Sequence, residues 1–277
     1  MTLFPAPRYL SLQAPHAAAC LEESLLFLRQ AWPGEWPGLP AVFQACCDFL
    51  LPMPTPLSLQ AQRMLAAGVA VATASEAHWQ HQQACEPPYH NRLHTADVLT
   101  AMALQLGIEA RLSGWPDNDW LTAGLLCAVG HDFMHAGGVN TVPCEIERRS
   151  CEQMRPLLTQ HAVDAMWQAR VEAAILCSDF SLAKQNHLQV QGSPFAWNQA
   201  WLNVLLNEAD IMASSLPSHG PALSRSLAQE WALIGFAPHA TVATLAGRQA
   251  FLRSVQFSSA SSKVLAVQAQ LQAQLTD

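Results

Sequence analysis

Charged residues are scarce in this sequence. Asp, Glu, Lys and Arg make up 13% of the 277 residues, and lysine occurs only at Lys184 and Lys263. Acidic residues outnumber basic ones by 21 to 14, which gives a formal net charge of −7. The basic residues are scattered, whereas a duplex-binding surface needs clustered cations that displace counterions. The composition therefore argues against a nucleic acid duplex as a partner.

Long apolar runs are also missing, although 51% of the residues are apolar. The nearest candidate, AAGVAVATA at 66–74, would cover only about half of a bilayer. The N-terminus, MTLFPAPR, lacks the basic start and apolar block of a secretion signal. We therefore expect a soluble cytoplasmic protein without a membrane partner, long enough for one large domain or two small ones.

The cysteines lack the C-x-x-C spacing of a structural zinc site. Most of them stand in apolar stretches, so buried free thiols are the favoured interpretation, ahead of a zinc cluster or a disulfide framework. The eight residues are Cys20, Cys46, Cys47, Cys85, Cys127, Cys144, Cys151 and Cys177.

Helical periodicity runs through most of the chain. Two proline-rich breaks, WPGEWPGLP at 32–40 and LPMPTP at 51–56, separate an N-terminal region from the rest. We expect a loose segment over 1–15. Apolar residues at spacings of three and four predict helices over 16–31, 41–50, 59–83, 92–107, 118–135, 145–159, 161–177, 198–215, 221–234, 241–257 and 262–275.

The predicted fold class is all-α, a compact bundle of many helices. LQVQGSPF at 188–195 is the one stretch in which a short extended segment is expected. No fixed-period repeat is found, which argues against a solenoid. We divide the chain into an N-terminal helical arm over 1–56 and a main domain over 57–277.

Two short stretches concentrate histidine and aspartate, PYHNRLHTADV at 87–97 and HDFMHAGGVN at 131–140. His90 and His94 are four residues apart, as are His131 and His135, and residues at this spacing share one face of a helix. The His131-Asp132 pair follows an apolar helix, where an uncompensated carboxylate would cost several kcal/mol. A divalent cation would provide that compensation.

A fourth ligand is expected from LLNEADIMAS at 205–214. Asp210 is the better inward candidate, because an aspartate in mid-helix has poor helix propensity and caps nothing there. Glu208 could equally be a surface residue. Imidazole and carboxylate ligands without thiolate suit Zn, Fe, Mn or Mg.

These motifs resemble the signature stretches of the class I 3′,5′-cyclic-nucleotide phosphodiesterases, a branch of the HD-domain metal phosphohydrolases. The matching stretches are YHNRLHTADV, HDFMHAGGVNTV and NEADIMAS, and the similarity covers about residues 57 to 257. The resemblance implies a bundle of the HD-domain type, with a catalytic domain over 57–277. It also implies that one metal, usually zinc, is held by His94, His131, Asp132 and Asp210.

The resemblance further implies a second metal, usually magnesium, that Asp132 would bridge to the first; manganese and iron are alternatives. His90 would be the general acid, and His135 would stand beside the metal-bound water. Glu152 would be another partner near that water. The segment between Asn140 and Glu152 is shorter than in the family, so Glu145 or Glu147 could take its place.

The substrate pocket departs from the family pattern. The family holds a purine with a glutamine three residues before a clamping aromatic, and SVQF here places Ser254 at the glutamine position and Phe257 at the clamp. Gln256 could substitute from a shifted register. Ala213 stands where the family has an asparagine, and Tyr89 of the first motif is also expected at the substrate.

The resulting hypothesis is hydrolysis of cAMP or cGMP to the 5′-monophosphate, by a hydroxide that bridges two metals, with His90 as the acid. A small-molecule phosphodiester is therefore the expected partner, and a homodimer is left open. One alternative is an HD phosphohydrolase that acts on a different nucleotide or phosphoester. The other is a metal-containing sensor without catalytic activity, for which the intact His90 would have no use.

Overall fold

Helices form all the regular secondary structure in the part of the chain that the structure describes. The computed structural model describes residues 16–51, 56–81 and 86–276, and no β-strand occurs in them. The predicted all-α class is therefore confirmed. None of the described helices is both long and apolar enough to cross a membrane. The helices are α1 (His16–Ala31), α2 (Leu39–Leu50), α3 (Leu59–His81), α4 (Arg92–Ser113), α5 (Asn118–Gly130), α6 (Glu145–Gln160), α7 (Ala165–Leu176), α8 (Phe180–Val190), α9 (Gln199–Ser215), α10 (Gly220–Leu233), α11 (His239–Val242), α12 (Leu245–Ser254), α13 (Ala260–Val264) and α14 (Val267–Thr276).

The extended segment expected at 188–195 is wrong, because its first three residues form the end of α8. This helix occupies much of the stretch between residues 177 and 198, in which no helix was predicted. Asp179 begins this helix by accepting a hydrogen bond from the Ser181 N–H. The buried residues of α8 are Asn186, His187 and Val190, two of them polar. Its sequence therefore carries too few apolar residues for a helical period to stand out.

Three predicted helices end early or are divided. The helix expected over 118–135 ends at Gly130 and is followed by a turn in which Met134 has a φ of 61°. The predicted helix 241–257 is divided where Thr244 caps α12, and the predicted helix 262–275 is divided at Ala266, with a φ of 57°. The segment expected to be loose, 1–15, lies outside the described residues.

Helix α4 lies at the centre of the bundle. Its residues from His94 to Ala110 are all buried, and it packs against α1, α2, α5, α9 and α13. A helix buried on every side has no solvent-facing polar stripe, and the polar residues Asp97 and Gln105 of α4 bond to partners inside the core. Leu25 of α1 and Phe43 of α2 belong to the same hydrophobic core as α4. A domain boundary at residue 56 stays a prediction.

Most cysteines lie in the core. Five of the seven in the described residues are buried, and Cys85 lies outside those residues. Burial raises the pKa of the Cys46 thiol to about 12, so this side chain stays protonated at neutral pH. The buried cysteines are Cys20, Cys46, Cys47, Cys127 and Cys151.

The buried aspartate of the first motif, Asp97, is neutralised by an arginine. Arg29 of α1 donates from Nη1 to Asp97 Oδ1 at 2.9 Å and from Nη2 to Oδ2 at 2.6 Å, while Asp97 is 1% exposed. A bidentate pair of this kind is strong because two parallel charge-assisted bonds form at once. It joins α1 to the helix that carries His94.

Glu208 is fully buried and connects α9 to two other parts of the core. Gln105 of α4 donates from Nε2 to Glu208 Oε2 at 2.9 Å, and the Ser259 N–H donates to Oε1 at 2.9 Å. The Ser258 N–H and the Ser259 hydroxyl also donate to this carboxyl. Glu208 is therefore a core residue, and its bonds fix the segment that leads into α13.

We predict that Glu208→Gln stabilises the fold more at pH 8 than at pH 5. Burial raises the pKa of Glu208 from its ordinary value of 4.5 to about 7, although the hydrogen bonds from Ser259 and Ser258 oppose this shift. The contribution of this proton to stability is therefore complete below pH 4.5 and is lost as the pH rises through 7. The free energy of unfolding of the variant, relative to the native protein, should rise by about 2–3 kcal/mol across this range.

Urea unfolding at several pH values, at one fixed metal concentration, measures this difference. Comparing the two proteins at each pH cancels the titration of the groups they share. Glu152→Gln removes an exposed carboxylate from α6 and is the matched control, for which no pH-dependent difference is expected. A difference for Glu208→Gln that stays constant with pH would contradict the prediction.

Candidate metal centre

His94 reaches the candidate centre from the first turn of α4. Asn91 caps this helix, and its Oδ1 accepts a hydrogen bond from the His94 N–H at 3.1 Å. Asparagine is a preferred N-cap because its side chain satisfies a backbone donor that has no helical partner. The His94 side chain is 2% exposed, and its Nε2 points toward the carboxylates of the centre.

His131 and Asp132 directly follow the C-terminal end of α5. His131 Nδ1 lies 2.9 Å from the Ala128 carbonyl oxygen, which can only accept, so Nδ1 carries the hydrogen and Nε2 keeps a lone pair. That lone pair faces His94 Nε2 at 3.3 Å. Asp132 Oδ2 lies 3.3 Å from His131 Nε2 and 3.4 Å from His94 Nε2.

Asp210 completes the group from α9. Its Oδ1 lies 3.0 Å from His94 Nε2 and 3.7 Å from His131 Nε2. Five of the six separations among the four ligand atoms therefore fall between 3.0 and 3.7 Å. Ligands of a tetrahedral ion with bonds of about 2.0–2.1 Å stand roughly 3.3–3.4 Å apart. His94, His131 and Asp210 together could hold a metal ion, and Asp132 lies within 3.4 Å of both imidazole nitrogens.

Burial and charge oppose each other at this centre. Burial alone would lower the pKa of His94, but the hydrogen bonds and charges of Asp132 and Asp210 raise it to about 10. Burial likewise opposes ionisation of Asp132, yet the charges of His131 and His135 hold the pKa of its carboxyl well below the usual range. An ionised carboxylate beside buried imidazoles is an arrangement that a divalent cation neutralises.

His90, His135 and Glu230 form a second group beside the first. The His90 and His135 rings stack with their centroids 4.0 Å apart. Glu230 Oε1 pairs with His90 Nδ1, and Oε2 accepts from the backbone N–H groups of Tyr89 and His90, each at 2.9 Å. Burial raises the pKa of Glu230, but the bonds and charge of His90 bring it below the usual value. The spacing would also admit a metal ion, although these donors already occupy both carboxylate oxygens.

Gly137 fixes the ring of His135. Its N–H donates to His135 Nδ1 at 2.9 Å, which leaves the hydrogen on Nε2. Burial, followed by the charge of His90, lowers the pKa of His135 to about 4, so the ring is neutral at pH 7. Gly137 has a φ of 81°, and a Cβ there would stand 3.2 Å from Glu230 Cγ and 3.3 Å from Pro87 Cβ. Glycine is needed at this position for both the backbone angle and the close approach.

Glu152, expected beside the metal-bound water, is not brought to the centre, because it lies on the exposed face of α6. Glu147 on the same helix is partly buried, and its Oε2 accepts from Asn140 Nδ2 at 2.9 Å. Burial raises the pKa of Glu147, and the charge of Asp132 contributes to the shift. Glu145, the other alternative, bonds to its own sequence neighbours. Of the three glutamates, Glu147 is the one whose carboxyl is both partly buried and affected by the charge of Asp132.

A cleft of about 570 Å³ opens beside Asp210, between α8, α9 and the end of α12. Ser254 and Gln256, both expected at the substrate, line this cleft. Its volume falls within the range of about 300–1,000 Å³ that small-molecule sites occupy. The cleft and the metal centre share Asp210, so a molecule in the cleft can reach the centre.

Three other residues expected at the substrate lie elsewhere. Phe257 is 6% exposed and packs into the hydrophobic core, so the structure does not offer it as a clamp. Ala213 is buried as well and does not line the cleft. The Tyr89 ring stands 4.9 Å from the His94 ring, and its hydroxyl bonds to Ser214 Oγ at 2.9 Å. Tyr89 therefore belongs to the wall of the metal centre.

Sequence reasoning missed Glu230 and the two cations of the cleft, Lys184 and Arg253. Glu230 lies 140 residues from its partner His90 and sits in LAQEWAL, where a glutamate looks like any solvated helix residue. Lys184 lies in α8, the helix that was not predicted. No local pattern in the sequence marks any of these three positions.

We predict that Asp132→Ala loses divalent metal. Asp132 approaches both imidazole nitrogens, so removing it takes away one ligand and one of the negative charges that would balance the ion. The dissociation constant for zinc should rise by at least about 100-fold. Calorimetric titration and elemental analysis of the purified protein measure this.

Glu152→Ala is the control for this loss, because it removes a carboxylate that lies outside the centre. It should bind zinc like the native protein. Full zinc occupancy in Asp132→Ala would show that Asp132 is not a ligand.

Comparison with known proteins adds nothing to this geometry. No protein-family model matches the chain, and no characterised protein matches its sequence. The functional argument therefore depends on the spacing of the four donor atoms, on the histidine pair beside them, and on the cleft that shares Asp210.

Proposed function

We propose that this protein is a metal-dependent phosphodiesterase that hydrolyses a small phosphodiester, with a 3′,5′-cyclic nucleotide converted to the 5′-monophosphate as the reference reaction. The observation that carries the proposal is that His94, His131, Asp132 and Asp210 converge beside an open cleft, with each carboxylate oxygen 3.0 to 3.7 Å from the two imidazole nitrogens. Zinc suits two imidazoles and two carboxylates, and magnesium or manganese suits a neighbouring position held by carboxylate and water.

The main obstacle to this reaction is the negative charge of the phosphodiester, which repels an attacking hydroxide. When bound, divalent cations neutralise the phosphoryl oxygens and make a water nucleophilic near neutral pH. The residues of the chain would hold the cation and orient the substrate. His94 and His131 lie at the buried base of the centre, while the side chains of Asp132 and Asp210 are 14% and 27% exposed. A substrate phosphate would therefore approach from the carboxylate side.

His90 is placed to protonate the leaving oxygen. Its Nδ1 is held by Glu230, and in the described residues no hydrogen bond involves its Nε2. His90 precedes α4 and lies four residues before His94, with the two ring centroids 5.7 Å apart. The ribose alkoxide is a strong base, so a positioned acid can contribute about 10²–10⁴ in rate. Glu230 acts through His90 and is a positioning residue.

His135 would assist without exchanging a proton. It is neutral, its Nδ1 accepts from Gly137, and its Nε2–H is a donor beside the centre. A neutral donor with a fixed tautomer can orient a water or a phosphoryl oxygen without adding charge. Its stacking on His90 also limits how far the acid can rotate.

A second candidate keeps the chemistry and changes the substrate. Phe257 is buried and a serine stands at position 254, so neither position offers the purine contact expected from the family, although Gln256 and Phe180 line the cleft. An HD phosphohydrolase that acts on another nucleotide or phosphoester would fit these features equally well. The His90–Glu230 pair argues against a sensor, because metal binding alone needs no proton donor.

We predict that the effect of His90→Ala depends on the leaving group. Hydrolysis of cAMP releases a basic alkoxide, so kcat should fall by about 10²–10⁴. Hydrolysis of bis(p-nitrophenyl) phosphate releases a stable phenolate that needs no proton, so kcat should fall less than about tenfold. Steady-state kinetics with saturating Mn²⁺ or Mg²⁺ measures both.

His81→Ala removes an exposed histidine at the end of α3 and should leave both activities intact. Equal decreases in kcat on the two substrates would show that His90 is not the general acid. If cAMP is untouched while the nitrophenyl ester is cleaved, the second candidate is correct. If the metal-loaded protein cleaves neither ester, the phosphodiesterase proposal fails.

Gly137→Ala should lower the turnover of basic-leaving-group esters by at least about tenfold, because the new methyl group would displace Glu230 and turn His90. Gly114→Ala is the matched control, since Gly114 also has a positive φ, of 97°, but no heavy atom within 4 Å of the added Cβ. Both variants should lose about 1–3 kcal/mol of stability to backbone strain. Equal kinetic losses in the two variants would mean that strain alone is responsible.

A further inference from the structure

The cleft beside Asp210 contains two cations with no carboxylate partner. Lys184 of α8 and Arg253 of α12 both line it, and both are exposed. Among the described residues, no ion pair involves either of them, and Arg253 makes only a 3.5 Å contact to Gln249 Oε1. Asp210 is the one carboxylate in the lining, and it belongs to the metal centre.

Several arginines elsewhere in the described chain form bonds within the protein, whereas Lys184 and Arg253 form no ion pair among the described residues. Arg29, Arg92 and Arg155 bond to carboxylates. Arg248 donates to the carbonyl oxygens of Ser214 and Leu216. In a chain of net charge −7 with only 14 basic residues, two uncommitted cations at one cleft mark a place that attracts anions.

Several neutral polar groups of the cleft are already engaged within the protein. Asn207 Oδ1 accepts from Asn186, and its Nδ2 donates to the Cys177 carbonyl. His187 Nδ1 bonds to Ser258 Oγ at 2.8 Å. The Ser254 hydroxyl donates to the Phe251 carbonyl at 2.7 Å. The exposed Gln256 is the lining amide that remains for a ligand, so recognition in this cleft combines one amide with the two cations.

The two cations face one space. Phe180 of α8 and Phe251 of α12 stack with their ring centroids 6.4 Å apart, which brings the two helices together beside the cleft. Phe180 itself lines the cleft, next to Lys184 along α8. Asp210 belongs to both the metal centre and the cleft. If one group of a ligand lies at the metal centre, another group of the same ligand can therefore lie in the cleft beside Lys184 and Arg253.

We propose that the substrate is a phosphodiester that carries a second phosphate group, which Lys184 and Arg253 bind while the scissile phosphate lies at the metal centre. The inference rests on the proposed phosphodiesterase function and refines its substrate. A nucleotide with an additional terminal phosphate and a cyclic dinucleotide both have this chemistry. The guanidinium fork and the ammonium group are both suited to phosphate oxygens.

Two pairs of esters test the proposal, of which the first keeps the scissile bond identical and the second adds a phosphodiester group. Thymidine 5′-(p-nitrophenyl phosphate) is compared with the same ester carrying a 3′-phosphate, and cAMP is compared with cyclic di-AMP. The added phosphate should raise kcat/KM of the native protein by about tenfold, mainly through KM. The first pair represents a terminal phosphate and the second an internal one, so the two sources are distinguished.

In Lys184→Met/Arg253→Met, the advantage of the added phosphate should fall to within about twofold of one. Lys263→Met and Arg225→Met remove exposed cations outside the cleft, and they should retain the native advantage. The advantage should also shrink at high ionic strength, because exposed charges are screened. A native protein with no advantage, or a double variant that keeps it, overturns the proposal.

Calorimetry with thymidine 3′,5′-diphosphate and thymidine 5′-phosphate provides the same comparison without turnover. The diphosphate should bind the native protein about tenfold more tightly, and the double variant should bind both alike. If binding shows this difference while neither ester is hydrolysed, the phosphodiesterase proposal fails and the anion site stands. Equal binding of the two nucleotides by the native protein overturns the anion site.

Discussion

The structure depends on how charge is compensated among the four side chains of the buried metal centre. Two imidazoles with almost no exposure, His94 and His131, face each other across 3.3 Å, and one carboxylate oxygen each from Asp132 and Asp210 completes the group. Neither apolar packing nor a single hydrogen-bonded pair requires donor atoms from three helical elements to lie 3.0 to 3.7 Å apart. A divalent cation does, because its bond lengths set the distances between its ligands.

The rest of the fold holds these elements in register. Arg29 neutralises Asp97, three residues after His94, and thereby fixes α1 against α4. Glu208, two residues before Asp210, bonds to Gln105 of α4 and to the segment that leads into α13. Buried polar groups with partners from different helices specify one arrangement of those helices, since each partner lost leaves an unsatisfied charge. Glu230 has the same effect on the segment that carries His90.

Sequence reasoning predicted the helices and the four donor residues, because both depend on local patterns. Apolar spacing marks α1 and α9, and the His131-Asp132 pair after an apolar helix marks buried charge. Sequence reasoning could not predict α8, because the buried face of this helix is largely polar. It could not predict Glu230 either, because this residue contacts His90 only in the tertiary fold. It placed Phe257 in the pocket because a motif fixes spacing along the chain, whereas the direction of a side chain depends on packing. Phe257 packs into the core, and the cleft is lined by Ser254, Gln256 and the two cations.

Anomalous scattering from a crystal grown with zinc tests the metal centre most directly. We expect one strong zinc peak about 2.0–2.2 Å from His94 Nε2, from His131 Nε2 and from one oxygen each of Asp132 and Asp210. A map with no peak between these side chains, or with the imidazoles and carboxylates turned away from one another while zinc binds elsewhere, would contradict the metal centre and the function inferred from it.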